Sequence, residues 1–294
     1  MQLAFIVGTG RCGSTLLHEI FAKHAETSFI SAIEENRPRL ARLHTLANAI
    51  YRAEHNPILK ALGIAEEFVP TEGYALIDRK VSPIYSRPFR DLVEDDVTPW
   101  LNKRFRDFFG TRYASCGSPV LLHKYTGWSR LGFFSTIFPE ARFLHVIRDG
   151  RAVANSWQQM RWWNGYEGTF NWLWGTLDTD QQSRWEASGL GFPVLAALGW
   201  EKLLNSYTDA EAKLAPERYL KLRYEDFLDD PAEHCREILD FFGLSFTPDF
   251  AKQLNTFDIT SSRKAAFEKD LEPRHLRAIE NAIGPVLARN GYVV

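Results

Sequence analysis

The sequence is poor in cysteine: three among 294 residues, Cys12, Cys116 and Cys235, an odd number with no CxxC pair. That excludes a disulfide framework or a zinc site and points to a reducing compartment, taken here as the cytoplasm. The eight histidines also lack ligand spacing, so no structural metal is expected. Neither sign of charge dominates: 35 Lys+Arg stand against 37 Asp+Glu, a net charge of −2. A basic protein that coats nucleic acid is thereby excluded, and no nucleic-acid partner is expected. No run of 18 apolar residues occurs, so no membrane span is expected. The apolar start Met1–Val7 runs at once into Gly8, Gly10, Arg11 and Gly13, unlike a secretory leader. There is no internal repeat, low-complexity tract or linker. What remains is an ordinary globular composition, 45% hydrophobic and 24% charged.

Leu3 to Val7 is a short continuous apolar run ended by glycine, the pattern of a strand buried on both faces. Ser14 to Phe21 then reads as a helix with Leu16, Leu17, Ile20 and Phe21 on its apolar stripe. Val120–Leu122 and Arg142–Ile147 look like sister strands, and Ala152–Trp157 like a helix after the second. A further strand, Tyr219–Tyr224, leads to Asp230 and Pro231, an N-cap and first-turn proline that open another helix. Pro273–Leu287 is one more amphipathic helix. Strands alternating with helices predict an α/β fold, a central and mostly parallel sheet with helices on both faces. We expect one domain over 1–294, with helical or irregular insertions near 36–110 and 160–200.

Gly8-Thr9-Gly10-Arg11-Cys12-Gly13-Ser14-Thr15 joins the first strand to the first helix. Backbone N–H groups of such a loop, with the helix N-terminus, form a nest for a phosphate. Gly8, Gly13 and Thr15 fall in register with GxxxxGK[ST], but Ser14 stands where the lysine belongs. That lysine reaches the β/γ-phosphates of an NTPase, so its loss argues against a kinase or NTPase. The cation has moved inside the loop, to Arg11. The plainer alternative is a tight turn whose glycines serve geometry only. Arg148 ends the second internal strand, on the sheet edge where open α/β folds bind ligands, and Ser156 follows eight residues later. Taken alone, Arg148 could equally be a surface ion pair with Asp149.

The pairing of Phe5-Ile6-Val7-Gly8-Thr9-Gly10-Arg11-Cys12-Gly13-Ser14-Thr15 with Phe143–Trp157 resembles the PAPS-dependent sulfotransferases of P-loop-like fold, bacterial members included. Arg223-Tyr224-Glu225-Asp226-Phe227 through Pro231 is similar to a further segment of that family, and Ser261–Leu271 to its closing basic loop. The resemblance covers nearly the whole chain. It departs at Arg11, where many members carry lysine, and at Phe267, where tryptophan is common. It implies sulfuryl transfer from PAPS (3′-phosphoadenosine 5′-phosphosulfate) to a hydroxyl, less readily an amine, releasing the 3′,5′-bisphosphate PAP and requiring no metal. The loop residues Arg11, Cys12, Gly13, Ser14 and Thr15 would hold the 5′-phosphosulfate. Arg148, Ser156, Arg263 and Lys264 would hold the 3′-phosphate, with Tyr224 beside the nucleotide. A non-catalytic protein that keeps the nucleotide site is the other alternative.

Arg11 and Lys124, the latter just past the strand Val120–Leu122, are the candidates to stabilise charge on the leaving oxygen. For the base that takes the acceptor's proton the sequence offers Glu34, Glu35 and His123. Glu34 and Glu35 could instead open a helix, and His123 could be a core histidine. Neighbours in a strand point oppositely, so His123 and Lys124 face one site only if the strand has ended. Six of the nine tryptophans lie between Trp157 and Trp185. That segment could line an acceptor pocket, form a second core or make a subunit contact. The acceptor itself, whether small molecule, glycan, lipid-linked or carrier-bound, is left open.

Overall fold

The computed structural model describes residues 1–37, 44–53, 65–261, 264 and 266–293. Five parallel strands, β1 (Gln2–Gly8), β2 (Thr27–Ser28), β3 (Val120–Thr126), β4 (Arg142–Ile147) and β5 (Tyr219–Arg223), form one sheet in the order β2-β3-β1-β4-β5. Helices cover both faces, which is why β1, β3 and β4 are buried along nearly their whole length and carry near-continuous rather than alternating apolar residues. Along β1 the faces still separate. Leu3, Phe5 and Val7 enter one core with the Pro99–Cys116 and Leu131–Ile137 helices. Ala4 and Ile6 enter the other, with the Ser14–Ala22 and Pro231–Phe242 helices.

In the sheet β1 lies between β3 and β4: the connection from β1 runs to one side, toward β2, and the connection from β3 crosses to the other side, to β4, so the strand order reverses at the carboxyl end of β1. That end is the switch point where open α/β sheets bind ligands. The loop after β1 occupies it, anchored where Gly127 N–H donates to the Gly8 carbonyl over 2.9 Å. The segment 36–110 contributes the Tyr74–Lys80 helix and much of the Pro99–Cys116 helix, the latter opened by Thr98 accepting from Leu101 N–H. A third core joins the Gly150–Gln158, Phe192–Glu211 and Pro273–Arg289 helices with Trp157, Trp163, Trp172 and Trp200.

Two elements differ from the sequence reading. β2 is only two residues long, too short to carry a pattern. β3 does not stop at Leu122 but continues through His123 and Lys124 to Thr126. The two polar residues are tolerated inside the sheet because each finds partners there. The alternation of the strand consequently separates them: His123 joins the side of Leu121 and Tyr125, and Lys124 reaches the Ser14–Ala22 helix on the other. Among the described residues, no helix is long and apolar enough to cross a membrane.

Candidate active site

The loop after β1 turns through three left-handed residues, Gly10 (φ 86°), Arg11 (φ 56°) and Gly13 (φ 94°). Glycine takes this conformation freely, whereas at Arg11 it costs roughly 1–2 kcal/mol. At Gly13 there is a second reason for glycine. A Cβ there would lie 2.1 Å from the Tyr224 ring, which closes on the bare backbone. Gly13 also starts the Ser14–Ala22 helix without a side-chain cap, so the first-turn N–H groups face the loop as an anion cradle. Cys12 packs into the core beneath the loop, while Ser14 and Thr15 line the cavity above it.

One flank of the cradle gathers Arg11, Arg148, Ser156 and Tyr224. Arg11 Nε donates to Ser156 Oγ over 2.9 Å, and Arg148 Nη1 donates to the Arg11 carbonyl over 3.1 Å. The Arg148 guanidinium lies 5.2 Å from the centre of the Tyr224 ring. Asp149 is taken up by Arg151 at 2.7 Å and caps the Gly150–Gln158 helix by accepting from Arg151 N–H. Four residues expected from distant stretches of sequence thus converge on one rim. Arg11 is committed here to Ser156. Lys264 pairs with Asp229, and Arg263 lies outside the described residues.

The other flank centres on Lys124. Its ammonium is almost fully buried and donates to Thr15 Oγ1 over 2.6 Å and to Glu72 Oε1 over 2.7 Å. A buried ammonium is tolerated only with such partners. Glu72 keeps 28% side-chain exposure, on the cavity side. Glu19, one helical turn beyond Thr15, also lines the cavity, and burial raises its carboxyl above the usual range while Lys124 opposes the rise.

The three expected bases do not line this cavity. Glu34 is buried against Arg112, 3.1 Å away, and caps its own helix by accepting from Ser31 N–H. Glu35 accepts from Ala75 N–H and Thr71 Oγ1, at 2.7 and 2.9 Å. His123 lies in the aromatic core, its Nε2 2.8 Å from the Tyr85 hydroxyl, and burial pushes its pKa down to about 3, with Arg112 and Lys124 adding to the shift. Glu72 carries no motif in the sequence. The only local signal is Thr71-Glu72-Gly73-Tyr74, a turn whose Gly73 (φ 61°) opens the Tyr74–Lys80 helix.

The cavity has a volume of about 1060 Å³, and Phe89, Trp128, Trp162, Trp172, Leu173 and Trp174 line it together with the anion cradle. The tryptophan-rich segment therefore serves two ends. Trp157 and Trp163 are core, and Trp174 lies on Trp157 with ring centres 5.2 Å apart while lining the cavity. Among the described residues, no three His, Cys, Asp or Glu side chains are grouped to hold a metal ion.

A parallel sheet with a glycine-rich loop and helix N-terminus at its switch point defines the class: an α/β protein of P-loop-like fold. Within that class the chain belongs to the sulfotransferase family, whose sequence pattern matches residues 4–248. It is 23% identical to the omega-hydroxy-beta-dihydromenaquinone-9 sulfotransferase of Mycobacterium tuberculosis, over 98% of this chain and 74% of that protein. Among solved structures it is similar to a sulfotransferase from Mycobacterium avium (TM-score 0.58, 14% identity, 99% of this chain and 77% of the other). The sulfotransferase domain of the Synechococcus olefin synthase is alike to a similar degree (TM-score 0.54, 18% identity, 96% and 94%). These structural likenesses share the fold.

Proposed function

We propose that the protein transfers the sulfuryl group of PAPS to the hydroxyl of an apolar, ring-bearing acceptor, releasing PAP. The observation that carries this reading is the position of Lys124, joined at once to Thr15 of the anion cradle and to Glu72 on the cavity wall. A cation between an anion nest and a carboxylate suits a transfer in which negative charge grows on the leaving oxygen while a proton leaves the acceptor. Glu72 takes that proton, and the acceptor oxygen gains the sulfur bond that the leaving phosphate loses. Arg148, Arg11 and Ser156 form the second anion subsite, suited to the 3′-phosphate. Holding both ends separates PAPS from ATP. The aromatic wall of Trp162, Trp174 and Phe89 suits a hydrophobic acceptor, in keeping with the menaquinone derivative named for the mycobacterial relative.

Calorimetric titration tests the donor first. Tight binding of PAP, with weaker binding of ADP and of ATP–magnesium, is expected. Arg148→Ala should weaken PAP about 10- to 100-fold, the loss of a charge-assisted contact. ATP–magnesium binding without PAP binding would replace this reading with the kinase one. Glu72→Gln should abolish turnover while PAP affinity stays within a few-fold.

A further inference from the structure

Glu35 and His123 stand off the cavity, yet Glu35 bonds directly to the segment that carries Glu72, and His123 bonds to Tyr85, whose hydroxyl reaches that segment. The Glu35 carboxylate accepts from Thr71 Oγ1 on one side of Glu72 and from Ala75 N–H on the other. Gly73 N–H adds a bond to Thr71 Oγ1 at 3.3 Å, and Thr71 N–H donates to the Ile30 carbonyl at 2.9 Å. The residue between these anchors has its own carbonyl held: Tyr85 donates its hydroxyl proton to Glu72 O over 3.2 Å. That proton being spent, the 2.8 Å contact between Tyr85 Oη and His123 Nε2 requires the imidazole to donate. His123 is then the Nε2–H tautomer, which agrees with a buried Nδ1 that has no hydrogen-bond partner among the described residues. A neutral ring is also what its burial favours.

We propose that Glu35 and the His123–Tyr85 pair are positioning residues that fix the Glu72 backbone from two sides, so that its carboxylate meets Lys124. This rests on Glu72 being the proton acceptor. Glu72 sits in a turn, where nothing periodic would hold it, and a misplacement of about 1 Å at such a group can cost on the order of 100-fold in rate. The carboxylate of Glu35 spans the turn, and the Tyr85 hydroxyl, itself oriented by His123, pins the carbonyl between.

Four variants test the assignment: Glu35→Ala, Glu35→Gln, Tyr85→Phe and Glu72→Gln. Each is assayed for PAP release with 2-naphthol as acceptor probe and with water alone, and the first three are also crystallised. Glu35→Ala and Tyr85→Phe should lower kcat about tenfold or more, with KM for PAPS within about twofold. In their structures the Lys124–Glu72 contact should open while the sheet is unchanged. Glu35→Gln should recover kcat to within about threefold, because its amide can still accept from Ala75 N–H and donate to Thr71 Oγ1. If Glu35→Gln is as damaged as Glu35→Ala, the carboxylate charge itself is needed and the positioning role is wrong. An intact Lys124–Glu72 contact in both Glu35→Ala and Tyr85→Phe overturns the proposal whatever the acceptor. Full activity of Glu72→Gln overturns instead the reading of Glu72 as base.

Discussion

Lys124→Met is the most informative single change, because it keeps an unbranched apolar stem and removes the ammonium with its charge and its bonds to Thr15 and Glu72. Lys124 is 3% exposed and Glu72 28% exposed at the side chain. Breaking a fully buried ion pair by removing one partner costs about 3–5 kcal/mol, and the partial hydration of Glu72 lowers the expected loss to about 2 kcal/mol. At about 2–4 °C per kcal/mol for a chain of this size, Tm should fall by roughly 4–8 °C. The effect on chemistry is larger. Loss of one preorganised group facing developing charge costs about 100- to 1000-fold in turnover, so kcat should fall by that factor at 25 °C, where the variant remains folded. PAP affinity should change by no more than a few-fold, because the contacts of Arg148 and Ser156 lie on the other flank. Turnover is followed as PAP release, affinity by calorimetry and folding by thermal denaturation. A variant with the lowered Tm but kcat within fivefold of the unaltered protein would show that Lys124 only closes a buried pair, and its place in the mechanism would be lost.

Gly13→Ala should fail for steric reasons: the left-handed backbone costs about 1–2 kcal/mol and overlap with the Tyr224 ring about 1–3 kcal/mol more. A Tm unchanged within 2 °C by calorimetry would contradict the ring packing described for Tyr224. Trp174→Ala should raise the acceptor KM and leave PAP binding unchanged, and equal losses of both would remove Trp174 from the acceptor side. The fold should also weaken in mild acid. His123, held down to about 3 chiefly by burial, stays neutral when folded but is protonated near its ordinary 6.5 when unfolded. Its contribution is therefore complete above about pH 6.5 and is lost as pH falls toward 3, about 2 kcal/mol of it between pH 7 and 5. Burial lowers His18 and His145 as well, in the same sense, while Glu19, Asp91 and Glu225, raised by burial, act in the opposite sense. Denaturant midpoints that coincide at pH 7 and pH 5 would contradict this balance.

The glycine loop and the strand end that carries Arg148 were legible because each is a local unit. A strand, a glycine loop and a helix lie within residues 2–22, and Arg148 and Ser156 are one strand end and one helix apart. Such units carry their own periodicity and turn chemistry, which a sequence displays. The Lys124–Glu72 flank was not legible, because its key bonds join segments with no local signature. Lys124 meets Thr15 across 109 residues of chain, and only that contact, with Glu72, explains why β3 continues through a lysine instead of ending at Leu122. Glu35 and His123 drew attention as acidic and basic groups in the right neighbourhoods, and the structure keeps them in that neighbourhood, bonded to the turn that bears Glu72 or to the tyrosine that pins it. Residue type narrows the candidates for a proton acceptor, but exposure to the cavity decides among them. Exposure is set by the packing of Tyr85, Phe109 and the Tyr74–Lys80 helix, elements that no motif connects.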